Sequence, residues 1–141
     1  MIIEPPDGLV EMLKVLHKDL PPTPDQSVRG GTQLTLLESP YKRVHKALRA
    51  LDAVLPSGRF VGVWSNYLLP GHYNVRHIHP KGELSGVWYL EVQDGKLCFD
   101  DHDLMPVVGQ VVTFPSDKPH WVESAASPRL SIAFDRVTQY N

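Results

Sequence analysis

The sequence predicts a mainly β domain, a sandwich or barrel, with two helices at its N-terminal end. Two patterns carry this. Before residue 59 the apolar residues fall at helical spacing in two stretches. After it they come in short runs separated by glycine, proline and aspartate. Runs that recur about every 8 to 12 residues have the rhythm of an all-β sandwich or barrel. The 141 residues suit one domain, helical with one short strand over 1–58 and β over 59–141.

Taken in order, the first helix is expected from Leu9 to Leu20, with Leu9, Met12, Leu13, Leu16 and Leu20 on one stripe. Asp7 stands where an N-cap would, and Pro21-Pro22-Thr23-Pro24 must end the helix. In the following stretch, Ser27 to Leu34, Gly30-Gly31 lacks the rest of any phosphate-loop pattern and reads as a turn leading into a strand. The second helix takes Ser39 as N-cap and Pro40 as its first residue. Tyr41, Val44, Leu48, Leu51 and Leu55 form its apolar stripe, and Pro56-Ser57-Gly58 closes it. Lys42, Lys46 and Arg49 form the opposite, solvated face. Strands are expected over 60–69, 73–79, 84–92, 96–100, 109–114, 120–124 and 129–135. On the last of these Leu130, Ile132 and Phe134 alternate with other residues and supply an apolar face for the helices to cover.

Composition narrows the class of function. Apolar residues make up 42% of the chain, too many for disorder. A net charge of −2 gives no electrostatic reason to expect a nucleic-acid partner. No apolar run approaches the roughly 20 residues of a membrane span. The opening Met-Ile-Ile-Glu-Pro-Pro-Asp has no basic segment followed by an apolar one, so it is not a signal peptide. Cys98 is the single cysteine, which rules out an intrachain disulfide. A soluble, cytoplasmic protein is the expectation.

The chemistry concentrates in Arg76-His77-Ile78-His79-Pro80. Side chains repeat every two residues on a strand, so His77 and His79 share a face, about 7 Å apart. His120 follows on another predicted strand. Neutral imidazoles suit iron, zinc, copper and nickel, and three of them in this frame point to one divalent metal. His17, His45, His72 and His102 fall on helices or in loops and are given no role.

The frame has two halves. Gly71, His77-Ile78-His79 and Glu83 form one; Gly109, Pro115 and His120 form the other. These spacings resemble the two cupin motifs, in which a glutamate joins the histidines. That resemblance would make Glu83 a fourth ligand, although its position before Leu84-Ser85-Gly86 also fits a surface loop. A second resemblance reaches further. Tyr67, His77, His120, Arg129 and Ser131 look like the pattern of the iron(II)- and 2-oxoglutarate-dependent oxygenases. Val75-Arg76-His77 and Val87-Trp88-Tyr89-Leu90 are similar to the prolyl hydroxylase branch. Most similar is a bacterial and phage group of 2-oxoglutarate–iron oxygenases. It is matched by His77-Ile78-His79-Pro80-Lys81-Gly82, Leu84-Ser85-Gly86-Val87-Trp88-Tyr89, Phe114-Pro115-Ser116 and Arg129-Leu130-Ser131-Ile132-Ala133-Phe134-Asp135, so that the likeness spans roughly residues 59–136. Cupins and these oxygenases share the double-stranded β-helix, a jelly-roll barrel, and that is the fold expected here, with the helices on one outer face.

The resemblance implies iron(II) held by His77, His79 and His120, with 2-oxoglutarate and O2 as co-substrates. The far carboxylate of 2-oxoglutarate then needs a fixed cation, which the planar fork of Arg129 supplies. Ser131 shares its strand face and adds a hydroxyl. Because Arg129 and Ser131 alternate with Leu130, Ile132 and Phe134, Arg129 is expected to point inward, where a cation needs an anion. Tyr67 and Tyr89 match positions near the co-substrate in related hydroxylases, and both equally suit core aromatics. One departure stands out: most of these oxygenases carry a carboxylate where His79 stands. A third neutral ligand leaves the site one unit more positive. Glu83, Asp100, Asp101 and Asp117 are carboxylates near in sequence, and no pattern selects among them. The expected function is a hydroxylase-type 2-oxoglutarate-dependent dioxygenase, its primary substrate a small molecule or a protein side chain, with a homodimer left open. The alternative is a cupin-type metalloenzyme using Glu83 without 2-oxoglutarate.

Overall fold

The computed structural model describes residues 1–22 and 28–138, so the expectations at Thr23, Pro24 and Ser27 lie outside the described residues. In chain order the elements are α1 (Leu9–Lys18), β1 (Val28–Arg29), β2 (Thr32–Thr35), α2 (Lys42–Val54), β3 (Arg59–Leu68), β4 (Tyr73–His77), β5 (Leu84–Glu91), β6 (Leu97–Phe99), β7 (Asp103–Leu104), β8 (Val111–Pro115), β9 (His120–Val122) and β10 (Arg129–Val137). They form two antiparallel sheets, in the orders β1-β4-β9-β6-β7 and β2-β3-β10-β5-β8. From β3 onward the chain passes back and forth between the sheets, as a jelly roll requires.

Both helices form and both are trimmed. Asp7 does not cap α1: Gly8 holds the N-cap at φ 79°, a left-handed conformation that glycine adopts freely. The helix stops at Lys18 rather than Leu20, because Pro21 disfavours helical geometry at the residue before it. In α2 the N-cap is Tyr41, not Ser39, so Pro40 lies outside the helix; the Ser39 hydroxyl instead accepts the Tyr41 N–H at 3.3 Å. Lys42, Lys46 and Arg49 are exposed, as the pattern predicts.

The β elements follow the expected runs with two additions. Two strands, β1 and β2, flank Gly30-Gly31 where one was expected. β7 is a two-residue strand that no periodicity can signal. The short β4 ends at His77, so His79 lies just beyond it.

Strand parity sets what each side of the larger sheet does. Val63, Trp88, Leu130, Ile132 and Phe134 face the helices and form one core with Leu9, Leu13, Val44, Ala47 and Leu51. The residues between them face the second sheet, where Leu97, Phe99 and Phe114 make a smaller cluster. Arg136, 3% exposed, pins β10 to α2 by donating to Asp52 at 2.6 Å and to the Pro56 carbonyl at 2.7 Å. Gly86 is required where it stands: a Cβ there would lie 2.3 Å from the Phe134 ring.

Candidate metal centre

Three imidazoles meet between the sheets. The candidate ligand atoms of His77, His79 and His120 all lie within 4.8 Å of one another. His77 and His120 are direct cross-strand neighbours on β4 and β9. A register shift between Asn74 and His77 lets both of these residues line the same cavity, although they stand an odd number of positions apart. His79 reaches the site from the turn after β4, and its ring centroid is 5.1 Å from that of His77 and 4.9 Å from that of His120.

The hydrogen bonds fix which nitrogen faces the centre. His77 Nδ1 lies 2.7 Å from the Val75 carbonyl and His120 Nδ1 lies 3.0 Å from the Lys118 carbonyl. His79 Nδ1 lies 2.7 Å from Asp135 Oδ1. All three partners are acceptors, so each Nδ1 is the donating nitrogen and each Nε2 is left to face the centre. Burial holds His77 below its ordinary value and pushes His120 down to about 4. Both rings are therefore neutral near pH 7, the state that binds metal. Phe114 packs on the His120 ring at 4.5 Å and Trp64 on the His79 ring at 5.5 Å, which gives the donor set an apolar surround.

At the other end of the cavity lies Arg129, 3% exposed. Its Nη2 donates to the Glu123 carbonyl at 3.2 Å, while Nη1 is buried with no hydrogen-bond partner among the described residues. Desolvation lowers the Arg129 pKa, against the raising influence of Tyr89 and Asp94. A buried guanidinium with an unused N–H fits an anion that the chain itself does not provide. Ser131 and Tyr89 face each other across β10 and β5 and line the same cavity, and burial holds the Tyr89 phenol well above its ordinary value.

Tyr67 and Glu83 fall away from the centre, and a carboxylate on the last strand reaches it. Tyr67 pairs with Leu130 on the helix-facing side, packs into that core and lies 5.8 Å from the His17 ring. Its alternative as a core aromatic is the one the geometry follows. Glu83 is exposed and accepts a hydrogen bond from Thr138 at 3.0 Å, away from the histidines. Asp100 pairs with Arg76, Asp101 with His102, and Asp117 is exposed. The carboxylate that reaches the centre is Asp135. It shares the parity of Arg129 and Ser131 on the last strand, and that was the available signal.

Residues 62–106 match the family model described as "Putative 2OG-Fe(II) oxygenase", a stretch that includes His77 and His79 and ends before His120 and Arg129. No curated protein matches the chain's sequence. Among solved structures, a Pseudomonas putida prolyl-4-hydroxylase is 22% identical, with 92% of this chain and 82% of that one covered and a TM-score of 0.70. A 2OG-Fe(II) oxygenase family oxidoreductase from Burkholderia pseudomallei is 14% identical over 90% of this chain and 76% of its own, with a TM-score of 0.63. A cupin superfamily protein from Desulfitobacterium hafniense is 13% identical over 86% and 87%, with a TM-score of 0.52. The fold is thus the double-stranded β-helix that these proteins share, and residues 62–106 carry the signature of the 2OG-Fe(II) oxygenase family.

Proposed function

We propose that this protein is an iron(II)- and 2-oxoglutarate-dependent dioxygenase of the hydroxylase type. The observation that carries the reading is one cavity with three convergent histidines at one end and, at the other, Arg129 Nη1, which has no partner among the described residues. That donor set suits a first-row divalent metal, and a three-residue ligand set leaves coordination positions open. When bound, iron(II) with O2 and 2-oxoglutarate supplies the oxidising chemistry. The chain's part is to bind, orient and exclude water. His77, His79 and His120 hold the metal through Nε2. Arg129 fixes the far carboxylate of 2-oxoglutarate with its fork, and the Ser131 hydroxyl adds a donor beside it. Tyr89 closes that end of the cavity. Among the described residues no helix is long and apolar enough to cross a membrane, and the lone, buried Cys98, which has no disulfide partner in the sequence, supports a reducing, cytoplasmic setting.

The Glu83 alternative requires that side chain at the histidines and Arg129 in solvent. The arrangement is the reverse on both counts.

The test is a titration of 2-oxoglutarate into the anaerobic iron(II) protein, followed by its metal-to-ligand charge-transfer band. The wild type should develop the band. Arg129→Ala should need at least tenfold more 2-oxoglutarate, about 1.4 kcal/mol, with iron affinity kept. No band in the iron-loaded wild type would overturn the reading.

A further inference from the structure

We propose that Asp135 is a positioning residue of the metal centre: its carboxylate aims His79 and returns, one residue removed from the metal, the negative charge that an all-histidine ligand set lacks. The inference rests on the metal-centre reading above and goes beyond its ligand list.

The three histidines are not held alike. His77 and His120 donate Nδ1–H to neutral backbone carbonyls, whereas His79 donates to a carboxylate, Asp135 Oδ1, at 2.7 Å. Asp135 is 9% exposed and His79 8% exposed, so the pair is shielded from water. A buried carboxylate is retained only where donors satisfy it. The same Oδ1 accepts the Ser85 hydroxyl at 2.6 Å, and Ser85 in turn accepts the Ser116 hydroxyl at 2.8 Å. The turn carrying His79 is fixed to this network by its backbone. The His79 N–H donates to the Ser116 carbonyl at 2.8 Å, and the Ser116 N–H donates to the Glu83 carbonyl at 3.1 Å. Gly82 is the space-maker. A Cβ there would stand 2.7 Å from Ser116 Oγ and 3.0 Å from Asp135 Cβ, so only glycine lets the turn close on the carboxylate.

His79 stands where a facial triad carries its carboxylate. An anion on the far nitrogen makes an imidazole a stronger donor and stops its ring from turning. The sum of charges around the metal then equals that of two histidines and one carboxylate, although no carboxylate touches the metal. The place of the anion has moved outward by the length of one ring.

Cobalt(II) titration of metal-free protein, read from its visible d–d bands, separates charge from shape. Asp135→Asn keeps an acceptor for Nδ1–H and loses the charge; it should bind cobalt(II) 10- to 100-fold more weakly with shifted bands. The double variant His79→Asp with Asp135→Asn puts the carboxylate at position 79 and should recover most of that affinity. Asp135→Ser replaces Asp135→Asn if thermal unfolding shows that the latter does not fold. Wild-type affinity and bands in the single variant would overturn the proposal, as would a double variant no tighter than the single one. A wild type that binds no cobalt(II) overturns both this proposal and the metal centre. A wild type that binds cobalt(II) but gives no 2-oxoglutarate band with iron(II) overturns only the oxygenase reading.

Discussion

Three buried histidines and the half-buried His77 divide into two kinds of work. Three present Nε2 to one point. The fourth, His17, is 2% exposed and uses both nitrogens, with Thr32 Oγ1 at 2.7 Å and Ser65 Oγ at 2.6 Å, to fasten α1 to β2 and β3. Burial pushes its pKa down to about 4, below the ordinary value of 6.5. The folded state therefore holds a neutral ring that the unfolded chain would protonate. Stability from His17 is complete above pH 6.5 and declines as pH falls toward 4, on the order of 3 kcal/mol. Chemical denaturation across that window should give a flatter profile for His17→Gln than for wild type. Equal slopes would remove His17 from the account. Sequence periodicity already held this residue, since Leu9, Leu13 and His17 fall four apart on one helix face. Its place on a helix alone assigns it no role, because the hydroxyls its ring meets lie 15 and 48 residues away in the chain. Tyr67 shows the opposite problem. A spacing of ten residues from His77 says nothing about which side of a sheet a ring occupies, and only the pairing with Leu130 decides it.

At the level of elements, runs of apolar residues located nearly every strand, while the ends depended on chemistry that propensity does not capture. Gly8 displaced Asp7 as a cap, and β4 stopped two residues short of its predicted end. The turn between β5 and β6 matters more for function. Gly95 has φ 94°, and a Cβ there would stand 2.4 Å from Arg129 Nη1 and 2.9 Å from Ala125 Cβ. The turn therefore sets how far the guanidinium reaches. Gly95→Ala should push Arg129 aside and weaken 2-oxoglutarate binding about tenfold, near 1.4 kcal/mol, while leaving metal affinity unchanged. Isothermal titration of each ligand separates the two, and an unaltered 2-oxoglutarate affinity would show that the turn is a spectator.

For the whole molecule, the centre ties the two sheets together. His77 and His120 belong to one sheet and Asp135 to the other, with His79 between them. A metal bound only by the folded form stabilises it by mass action, about 2.7 kcal/mol at a hundredfold excess over the dissociation constant. Adding cobalt(II) should raise the melting temperature of the wild type by several degrees, and a chelator should reverse it. His120→Ala should show no such rise. A variant that still gains the full increment would place the ion elsewhere. The overall architecture was legible because strand rhythm and two amphipathic stripes survive in a single chain. The balance of charge at the centre was not, because it depends on residue 135 meeting residue 79 across a distance that no local pattern spans.

Down the cavity side of β10 stand Arg129, Ser131, Ala133 and Asp135: a cation, a hydroxyl, a methyl and an anion. Down its back stand Leu130, Ile132, Phe134 and Arg136. Both sets are written on one ribbon, interleaved residue by residue. A single inserted or deleted residue in this segment would swap the two faces beyond it, carrying oil into the chamber and salt into the core. Evolution can therefore exchange letters along this ribbon, but it can scarcely change their number.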